Sequence, residues 1–346
     1  MVALYITAMG EAAGKSAFCA GLGRMLQAEG KKVGFLKPVS SSTEGSDRDA
    51  EFMKQLLALD EPVESLCPVS LSASDLAATA DDQELPWLKK VEEAYAWVSP
   101  GKDVVLLEGL GDLKAGSAPA RIAGRVVETL KAKAILLVPY EADLEGDEIA
   151  AAAKTLGGNL LGVVINAVPE RRMDSVKAGI VPALEQDGIK VLGVLPETRS
   201  LFAITIGELA EHIGGNILNS QDRSDELVES LMVGALSFDS APSYLTTRDN
   251  KAVITRGDHA DIQLAALNTS IKCLVLTDNI DPNPTIFSRA LELDVPIVLV
   301  EKDTNSTMEA LESVLDKASP YHEKKIERLG QILKRNLDLG AIYQAI

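Results

Sequence analysis

Aromatic and cysteine residues are scarce in this chain of 346 residues. The first shortage limits how its cores can be composed, and the second argues against disulfide and zinc sites. Phe, Trp and Tyr together make up 4% of the sequence. Its cores are therefore expected to consist of Val, Ile, Leu and Ala, as in buried parallel sheets covered by helices. Cys19, Cys67 and Cys273 are far apart, odd in number and without metal-ligand spacing. This usage favours a reduced, cytosolic chain over a disulfide framework or a zinc site.

Positive charge is also in short supply. Lys and Arg number 34 against 51 Asp and Glu, which gives a net charge of −17. Nucleic acids and anionic membranes bind to cationic surfaces, so neither partner is expected, whereas a small anion in a locally positive pocket remains compatible. No apolar run approaches the roughly 20 residues of a membrane span. The N-terminal segment Met1–Ile6 lacks the basic leader of a signal peptide and is predicted as a strand.

Short apolar runs alternate with helical patterns over the N-terminal half. The predicted strands are Val2–Thr7, Val33–Leu36, Val104–Glu108, Ala134–Val138, Leu161–Asn166 and Val191–Leu195. The predicted helices between them include Lys15–Glu29, Ala120–Leu130 and Glu145–Leu156. This alternation is typical of βαβ crossovers and predicts an α/β fold, a mostly parallel sheet with helices on both faces. The longer stretch from Leu59 to Pro100 is predicted as a helical insertion or lid with a loop.

A domain boundary is predicted near Ser200–Ile206, followed by a second, smaller α/β segment. Its predicted strands are Leu231–Leu236, Ala252–Thr255, Cys273–Thr277 and Ile297–Val300, and its helices are Asp258–Leu267, Thr285–Leu293 and Thr307–Leu315. The C-terminal stretch Tyr321–Ile346 is predicted as an amphipathic helix whose apolar face either docks on its own domain or forms a dimer contact. The predicted domains are 1–204, 205–319 and a helical tail, 320–346.

A phosphate-binding loop is predicted at residues 5–16, which read YITAMGEAAGKS. Small residues allow backbone N–H groups to surround an anion, and the following helix adds its partial positive N-terminus. Lys15 would reach the terminal phosphates and Ser16 would offer its hydroxyl to Mg²⁺. The strict motif places its first glycine at Met9, whereas the nearest glycine is Gly10. The alternative is a helix that merely begins at Gly14, with a solvated lysine.

Several segments in this half resemble the dethiobiotin synthetases. Phe35–Ser41, FLKPVSS, is similar to their second-strand motif, in which a serine follows four positions after the lysine. Leu106–Gly111, LLEGLG, is similar to their Val-Glu-Gly-Ala-Gly segment. Asp49-Ala50 resembles their Asp-Ala pair, Val164–Asn166 their adenine-contacting segment, and Gly193–Pro196 their Gly-x-Ile-Pro strand end. The resemblance implies a P-loop domain that binds ATP with Mg²⁺.

The resemblance also implies roles for individual residues. Lys37 would face the phosphate loop and neutralise the γ-phosphate and a phosphorylated substrate. Asp49 and Glu108 would complete a magnesium site with Ser16, with Asp47 as a close competitor of Asp49. The candidate residues are Lys15 and Lys37 for catalysis; Gly10, Gly14, Lys15, Ser16, Lys37, Ser41 and Asn166 for the nucleotide; and Ser16, Asp49 and Glu108 for the metal. Asn166 either reads the purine edge or forms a turn.

The second half resembles the DRTGG domain, through Val233–Phe238, Val253–Ile262 and Asp294–Val298 with Asp303-Thr304. That domain follows a dethiobiotin-synthetase-like domain in the N-terminal half of long bacterial phosphate acetyltransferases. It also accompanies CBS domains in some pyrophosphatases, which implies adenine-nucleotide sensing or dimerisation.

Two departures from the DRTGG pattern bear on ligand contacts. His259 stands where the family usually has Arg, and Thr277–Asn279 reads Thr-Asp-Asn where it has Thr-Gly-Gly. Arg256–Asp258 is either part of a ligand site or a strand-to-helix turn with Asp258 as the N-cap.

Two functions remain open on this basis. One is a nucleotide-responsive regulatory protein, expected as a homodimer, with Mg-ATP in the first domain and a second nucleotide or small ligand in the DRTGG-like domain. Since the sequence stops at Ile346, we expect a free-standing version of the regulatory pair without the acetyltransferase domain. The other is an enzyme, either a slow ATPase or an ATP-dependent ligase of the dethiobiotin synthetase and cobyrinic acid a,c-diamide synthase superfamily acting on a small carboxylate. Partition ATPases of the same superfamily are a distant third.

Overall fold

Two units make up the chain in the computed structural model. Unit 1 comprises Met1–Glu197 together with Tyr321–Ile346, and unit 2 comprises Thr198–Pro320. The residues that the structure describes are 2–10, 13–41, 47–72, 74–76, 86–114, 116–198, 201, 203–234, 241–315 and 322–346.

Unit 1 is built on a six-stranded sheet in which all neighbouring strands are parallel. Its strands are β1 (Val2–Ala8), β2 (Val33–Leu36), β3 (Val104–Glu108), β4 (Lys133–Pro139), β5 (Leu160–Val168) and β6 (Val191–Pro196). Their order across the sheet is β2-β3-β1-β4-β5-β6. The strands are nearly continuous apolar runs because helices cover the sheet. This arrangement confirms the predicted α/β fold with a mostly parallel sheet.

The helices of this unit lie between the strands. They are α1 (Lys15–Ala28), α2 (Arg48–Leu56), α3 (Val63–Leu66), α4 (Pro86–Val98), α5 (Ala118–Thr129), α6 (Gly146–Lys154), α7 (Met173–Ala178) and α8 (Ile180–Gln186). The predicted insertion or lid between Leu59 and Pro100 contains α3 and α4, while residues 77–85 in its middle lie outside the described residues.

Unit 2 is a smaller α/β unit. Its strands are β7 (Ile204–Thr205), β8 (Asn216–Ile217), β9 (Leu227–Val228), β10 (Ser230–Val233), β11 (Lys251–Arg256), β12 (Ile271–Thr277) and β13 (Ile297–Leu299). Its sheet has the order β10-β11-β12-β13-β8, parallel except for β8 at the edge, and β7 pairs with β9 separately. Of the predicted strand Leu231–Leu236, the last residues lie outside the described part of the chain.

Helices pack on both faces of this second sheet. They are α9 (Ile206–Ile213), α10 (Ala241–Leu245), α11 (Ala260–Leu267), α12 (Pro284–Glu292) and α13 (Thr304–Leu315). One core cluster joins side chains of α11 and α12 to the sheet, and the other joins side chains of α9 and α13 to its opposite face. The two clusters make unit 2 a three-layer structure.

The C-terminal stretch forms two helices, α14 (Glu323–Asn336) and α15 (Leu339–Ala345), rather than the single helix predicted for Tyr321–Ile346. The chain is extended at Leu337, which forms an antiparallel bridge with Gly193, and Asp338 then caps α15 by accepting a hydrogen bond from the Ala341 N–H.

The apolar face of α14 packs on α1, within unit 1. Ile326, Leu329 and Leu333 are buried, and a Cβ atom at Gly21 would lie 2.9 Å from the Leu329 Cγ. Because this face is covered within the chain, it is not available as a dimer contact. No helix in the described part of the chain has both the length and the apolar character that crossing a membrane requires.

Candidate functional site

The predicted phosphate loop connects β1 to α1. The first residue of the helix is Lys15, and Gly14 before it has a left-handed φ of 81°. A Cβ atom at Gly14 would lie 3.1 Å from the side-chain nitrogen of Asn166, so both backbone conformation and space favour glycine there. Gly10 approaches Pro139, with 3.4 Å between an added Cβ atom and the Pro139 Cγ. Residues 11 and 12 of the loop lie outside the described residues.

Asn166, near the end of β5, bonds to the backbone of this loop. Its Nδ2 donates to the Ala13 carbonyl oxygen at 3.0 Å, and its Oδ1 accepts from the Ala167 N–H at 2.9 Å. Ala167 itself has a positive φ of 57°. The amide therefore fixes the loop backbone and a local turn, and reading of a purine edge by Asn166 stays a prediction.

Glu108 ends β3 and lies next to the start of α1. Its side chain is 2% exposed, and its Oε1 accepts a hydrogen bond from the Ser16 hydroxyl at 2.7 Å. Its Oε2 is buried and has no hydrogen-bond partner among the described residues. A buried carboxylate oxygen without a partner is costly, so this oxygen suits a cation bound beside Ser16.

The glycine after Glu108 has a packing reason. A Cβ atom at Gly109 would lie 2.4 Å from the hydroxyl oxygen of Tyr5, which is fully buried under the site. The Glu-Gly pair thus combines an acid at the strand end with the space that Tyr5 needs.

The charges of the site act on one another. Burial raises the pKa of Glu108 to about 7, with a further rise from the charge of Asp49, while Lys37, the Ser16 hydroxyl and Lys15 oppose the rise. Burial lowers the pKa of Lys15, and the Glu108 carboxylate opposes that effect. Ser16, Lys15 and Glu108 therefore meet where the sequence predicts the phosphates and the metal, at the carboxyl ends of β1 and β3.

Lys37, just after β2, lies between two carboxylates. Its Nζ is 2.5 Å from the Asp49 Oδ2 and 2.8 Å from the Asp47 Oδ2, and all three side chains are largely buried. Burial by itself would lower the pKa of Lys37, but the charges of Glu108 and Asp49 and the hydrogen bonds that Lys37 donates to both aspartates outweigh it and raise the pKa above its ordinary value. Lys37 is thus a charged group of this site.

Asp47 has a contact set that the sequence did not reveal. It is the N-cap of α2, where its Oδ1 accepts from the Ala50 N–H at 3.1 Å. Its Oδ2 accepts from the Ser40 hydroxyl at 2.7 Å as well as from Lys37. The serine that reaches these acids is therefore Ser40, which is buried, whereas the predicted nucleotide contact Ser41 is exposed. The available signal was the cap pattern, an Asp just before an acidic first helical turn.

A divalent cation fits this donor set. Ser16, Asp49 and Glu108 offer hard oxygen atoms of the kind that Mg²⁺ prefers, and one of these atoms is the Glu108 Oε2, which has no partner among the described residues. Within the described ranges, no three His, Cys, Asp or Glu side chains converge on a point. The ion would therefore depend on water and phosphate oxygens for the rest of its shell, as Mg²⁺ commonly does.

The DRTGG-like motif in unit 2 is arranged differently. Arg256 donates two hydrogen bonds to Asp258, at 3.0 and 3.1 Å, on the surface. Asp258 is not the helix cap that the sequence allowed, because the N-cap position of α11 is His259, which makes no side-chain cap bond. Asp278 and Asn279, which replace the glycines of the family pattern, both have positive φ, at 65° and 51°. Asp and Asn tolerate this conformation better than most residues, so the turn survives without glycine.

Family models match the chain in two consecutive segments. A model described as an AAA domain matches residues 2–205, and one described as a DRTGG domain matches residues 208–314. The chain belongs to this AAA domain family. The two matches confirm the predicted order of a dethiobiotin-synthetase-like P-loop domain followed by a DRTGG domain.

Curated relatives agree with both segments. The chain is 27% identical to the phosphate acetyltransferase of Pseudomonas putida over 96% of its own length and 50% of that protein. It is 21% identical to the ATP-dependent dethiobiotin synthetase of Methanococcus vannielii, over 58% of this chain and 95% of the relative. The chain thus spans about half the length of the phosphate acetyltransferases that it matches.

Among solved structures, the chain is similar to cobyrinic acid a,c-diamide synthase from Mycobacterium smegmatis, solved with bound ADP and magnesium. The identity is 15% and the TM-score 0.41, over 58% of this chain and 89% of that one.

Proposed function

We propose that this chain is a nucleotide-responsive regulatory protein in which unit 1 binds Mg-ATP at the loop before α1. The observation that carries the proposal is the buried Glu108 oxygen, which has no hydrogen-bond partner in the described part of the chain, beside the Ser16 hydroxyl at a helix N-terminus. An anion at that N-terminus and a cation at that carboxylate complement each other, as in a metal-bound nucleotide. Lys15 and Lys37 supply the positive charge that the phosphates need.

The loop is tested by nucleotide binding to wild type and to Lys15→Ala. At a hundredfold excess over its dissociation constant, Mg-ATP should stabilise unit 1 by about 2.7 kcal/mol. Lys15→Ala should remove most of the resulting shift in melting temperature while the protein stays folded. Lys31→Ala is the matched control, because it removes an exposed lysine after α1 and should keep the full shift. Equal ATP affinity in wild type and Lys15→Ala would overturn the proposal.

Regulation requires a second ligand, and the DRTGG domain of unit 2 is its proposed site. Following the family likeness, we expect an adenine nucleotide or a diadenosine polyphosphate there, and a homodimer in solution. A ligand of unit 2 should change the affinity for ATP, and ATP should change the affinity for that ligand by the same factor. Calorimetric titrations in both orders, with sedimentation to measure the oligomeric state, test both points. No effect of any such ligand on the affinity for ATP would contradict regulation through unit 2.

An ATP-dependent ligase is the second candidate, favoured by the buried, charged Lys37 beside the loop. A ligase should turn over ATP in the common enzymatic range of roughly 1–10³ s⁻¹ once its small carboxylate substrate is present. A regulator should stay far below that range with every metabolite. Phosphate release measured with a metabolite panel separates the two, and Lys37→Ala should abolish any stimulated turnover while ATP still binds.

A further inference from the structure

The two carboxylates around Lys37 are held in different ways. Asp47 is fixed through both oxygens, since its Oδ1 caps α2 and its Oδ2 is shared by Ser40 and Lys37. Its side chain is 6% exposed. Asp49 follows in the first turn of α2, and its side chain is 18% exposed. Asp47 is therefore the anchored partner of the lysine and Asp49 the more accessible one.

The shorter contact of Lys37 is with Asp49, the residue proposed to bind the metal. The ammonium lies 2.5 Å from the Asp49 Oδ2, so it already neutralises the carboxylate proposed to bind the cation. An ammonium and a metal ion repel each other and compete for the same negative charge, so each weakens the binding of the other to one carboxylate. Metal binding at Asp49 therefore weakens its contact with Lys37 and favours transfer of the ammonium to Asp47.

We propose that Lys37 exchanges partners when the metal binds. Without a metal, Lys37 is paired with Asp49. Once Asp49 binds the metal, Asp47 keeps Lys37 beside the loop, where the ammonium can contact the terminal phosphate. This inference rests on the proposed Mg-ATP site and adds a coupling within it. Because linkage is reciprocal, the metal and the γ-phosphate each strengthen the binding of the other by the same factor. ADP lacks the γ-phosphate, so its coupling to the metal should be weaker.

The first experiment measures this coupling by calorimetry. ATP and ADP are titrated into the full chain with and without Mg²⁺, and the affinity of each nucleotide for Mg²⁺ in solution is taken into account. In wild type the gain in affinity due to Mg²⁺ should be at least about fivefold larger for ATP than for ADP, the low end of typical coupling factors. In Lys37→Met that difference between the nucleotides should disappear. An unchanged difference in Lys37→Met would overturn the exchange.

The second experiment tests Asp47 as a positioning residue. Asp47→Asn keeps a good helix cap but removes the charge that retains Lys37. Lys37 should then stay on Asp49, and the Mg²⁺ concentration that half-saturates the ATP complex should rise about fivefold, again at the low end of the usual coupling range. Glu51→Gln removes a charge from the same helical turn without a place at Lys37, and it should leave that concentration nearly unchanged.

A double-mutant cycle separates this action from a general loss of negative charge. If Asp47 acts through Lys37, the effect of Asp47→Asn should vanish in the Lys37→Met background. An effect that persists there, or one that Glu51→Gln reproduces, would refute the proposal while Lys15-dependent Mg-ATP binding stays intact. Absence of nucleotide binding to wild type would instead refute the proposed function itself. If Asp47→Asn fails to fold, the comparison of ATP and ADP in Lys37→Met decides alone.

Discussion

A strand in each unit ends in a charged side chain, which is buried in unit 1 and exposed in unit 2. In unit 1 the strand-end acid Glu108 is 2% exposed, and one of its oxygens has no hydrogen-bond partner within the described ranges. In unit 2 the strand-end Arg256 is half-exposed and bonded twice to Asp258. The buried Thr277 shares its hydroxyl with Thr304 at 2.8 Å.

The difference separates a buried carboxylate oxygen without a partner among the described residues from an exposed ion pair whose charges already balance each other. A buried charge without a partner lowers stability, and a bound cation would remove that cost. A ligand at Arg256 would first have to displace Asp258. In unit 2 the buried Gln263 Oε1 also has no partner among the residues that the structure describes, but a neutral amide oxygen costs less than a carboxylate. The two units therefore predict different responses to mutation.

The units should differ most in their dependence on the C-terminus. A chain that ends at residue 320 lacks α14, and four of its apolar side chains are buried, Ile326, Leu329, Ile332 and Leu333. At about 1.5–3 kcal/mol each, unit 1 should lose roughly 6–12 kcal/mol as an upper estimate. Differential scanning calorimetry should then lack the unit 1 transition and keep that of unit 2.

Point mutations refine this first test. Leu333→Ala should cost unit 1 about 2–5 kcal/mol, and the exposed Glu327→Ala almost nothing. If the shortened chain retains both transitions, unit 1 does not depend on α14.

A pH-dependent effect of smaller size is expected from Glu108. Its pKa is about 7 in the folded protein, whereas a glutamate without these interactions, as in the unfolded chain, has a pKa of 4.5. The folded state therefore holds this proton more tightly. The associated stability is complete below pH 4.5 and is lost as the pH rises through 7, by about 3 kcal/mol at 1.36 kcal/mol per unit. Glu108→Gln should therefore match wild type at low pH and exceed its stability at pH values above 7.

Urea unfolding across pH measures this difference. Glu51→Gln, at an exposed position, is the control for the removal of one carboxylate from the same unit. A gain for Glu108→Gln that is the same at all pH values would show that Glu108 does not titrate as described.

A steric change in unit 2 should act on that unit alone. A Cβ atom at Gly257 would lie 1.9 Å from the Ile280 carbonyl oxygen, which is backbone and cannot move aside cheaply. Gly257→Ala should destabilise unit 2 by about 1–3 kcal/mol. Gly207→Ala is the control, since an added Cβ atom there meets nothing closer than 3.5 Å. Calorimetry should show a shift of the unit 2 transition only, and equal transitions for both variants would contradict the close approach.

The smallest effect is expected at the surface pair of unit 2. Arg256→Ala should leave the unfolding of unit 2 unchanged within error, because both partners are exposed and solvent screens their interaction. The same variant should weaken any nucleotide bound at this motif. A clear loss of stability in Arg256→Ala would mean that the pair supports the fold rather than a ligand site.

Sequence patterns predicted the parts of unit 1 that depend on local order. The strands Val33–Leu36 and Val104–Glu108 agree with the structure at both ends, because a buried parallel strand is a continuous apolar run. The loop before Lys15 and the acid at Glu108 were readable for the same reason, since each directly follows a strand.

Contacts between distant segments were not readable in this way. The apolar face of α14 was evident, but its partner, α1, lies some three hundred residues earlier in the chain. The two-residue strands β7, β8 and β9 are too short to show a periodicity. Asp47 was recognised as a rival ligand, whereas its bonds to Ser40 and Lys37 depend on how β2 meets α2.

Because the C-terminal helices belong to the first unit, they also determine the order in which the two units are completed during synthesis. About 120 residues of unit 2 leave the ribosome between the last strand of the first sheet and α14. At about 5–20 residues per second this interval lasts roughly 6–25 s. During that time the apolar side of α1 is exposed to water or to a chaperone. This side includes Gly21, which Leu329 later covers. The DRTGG domain, contiguous in the chain, can finish folding first, so unit 1 is completed only after unit 2.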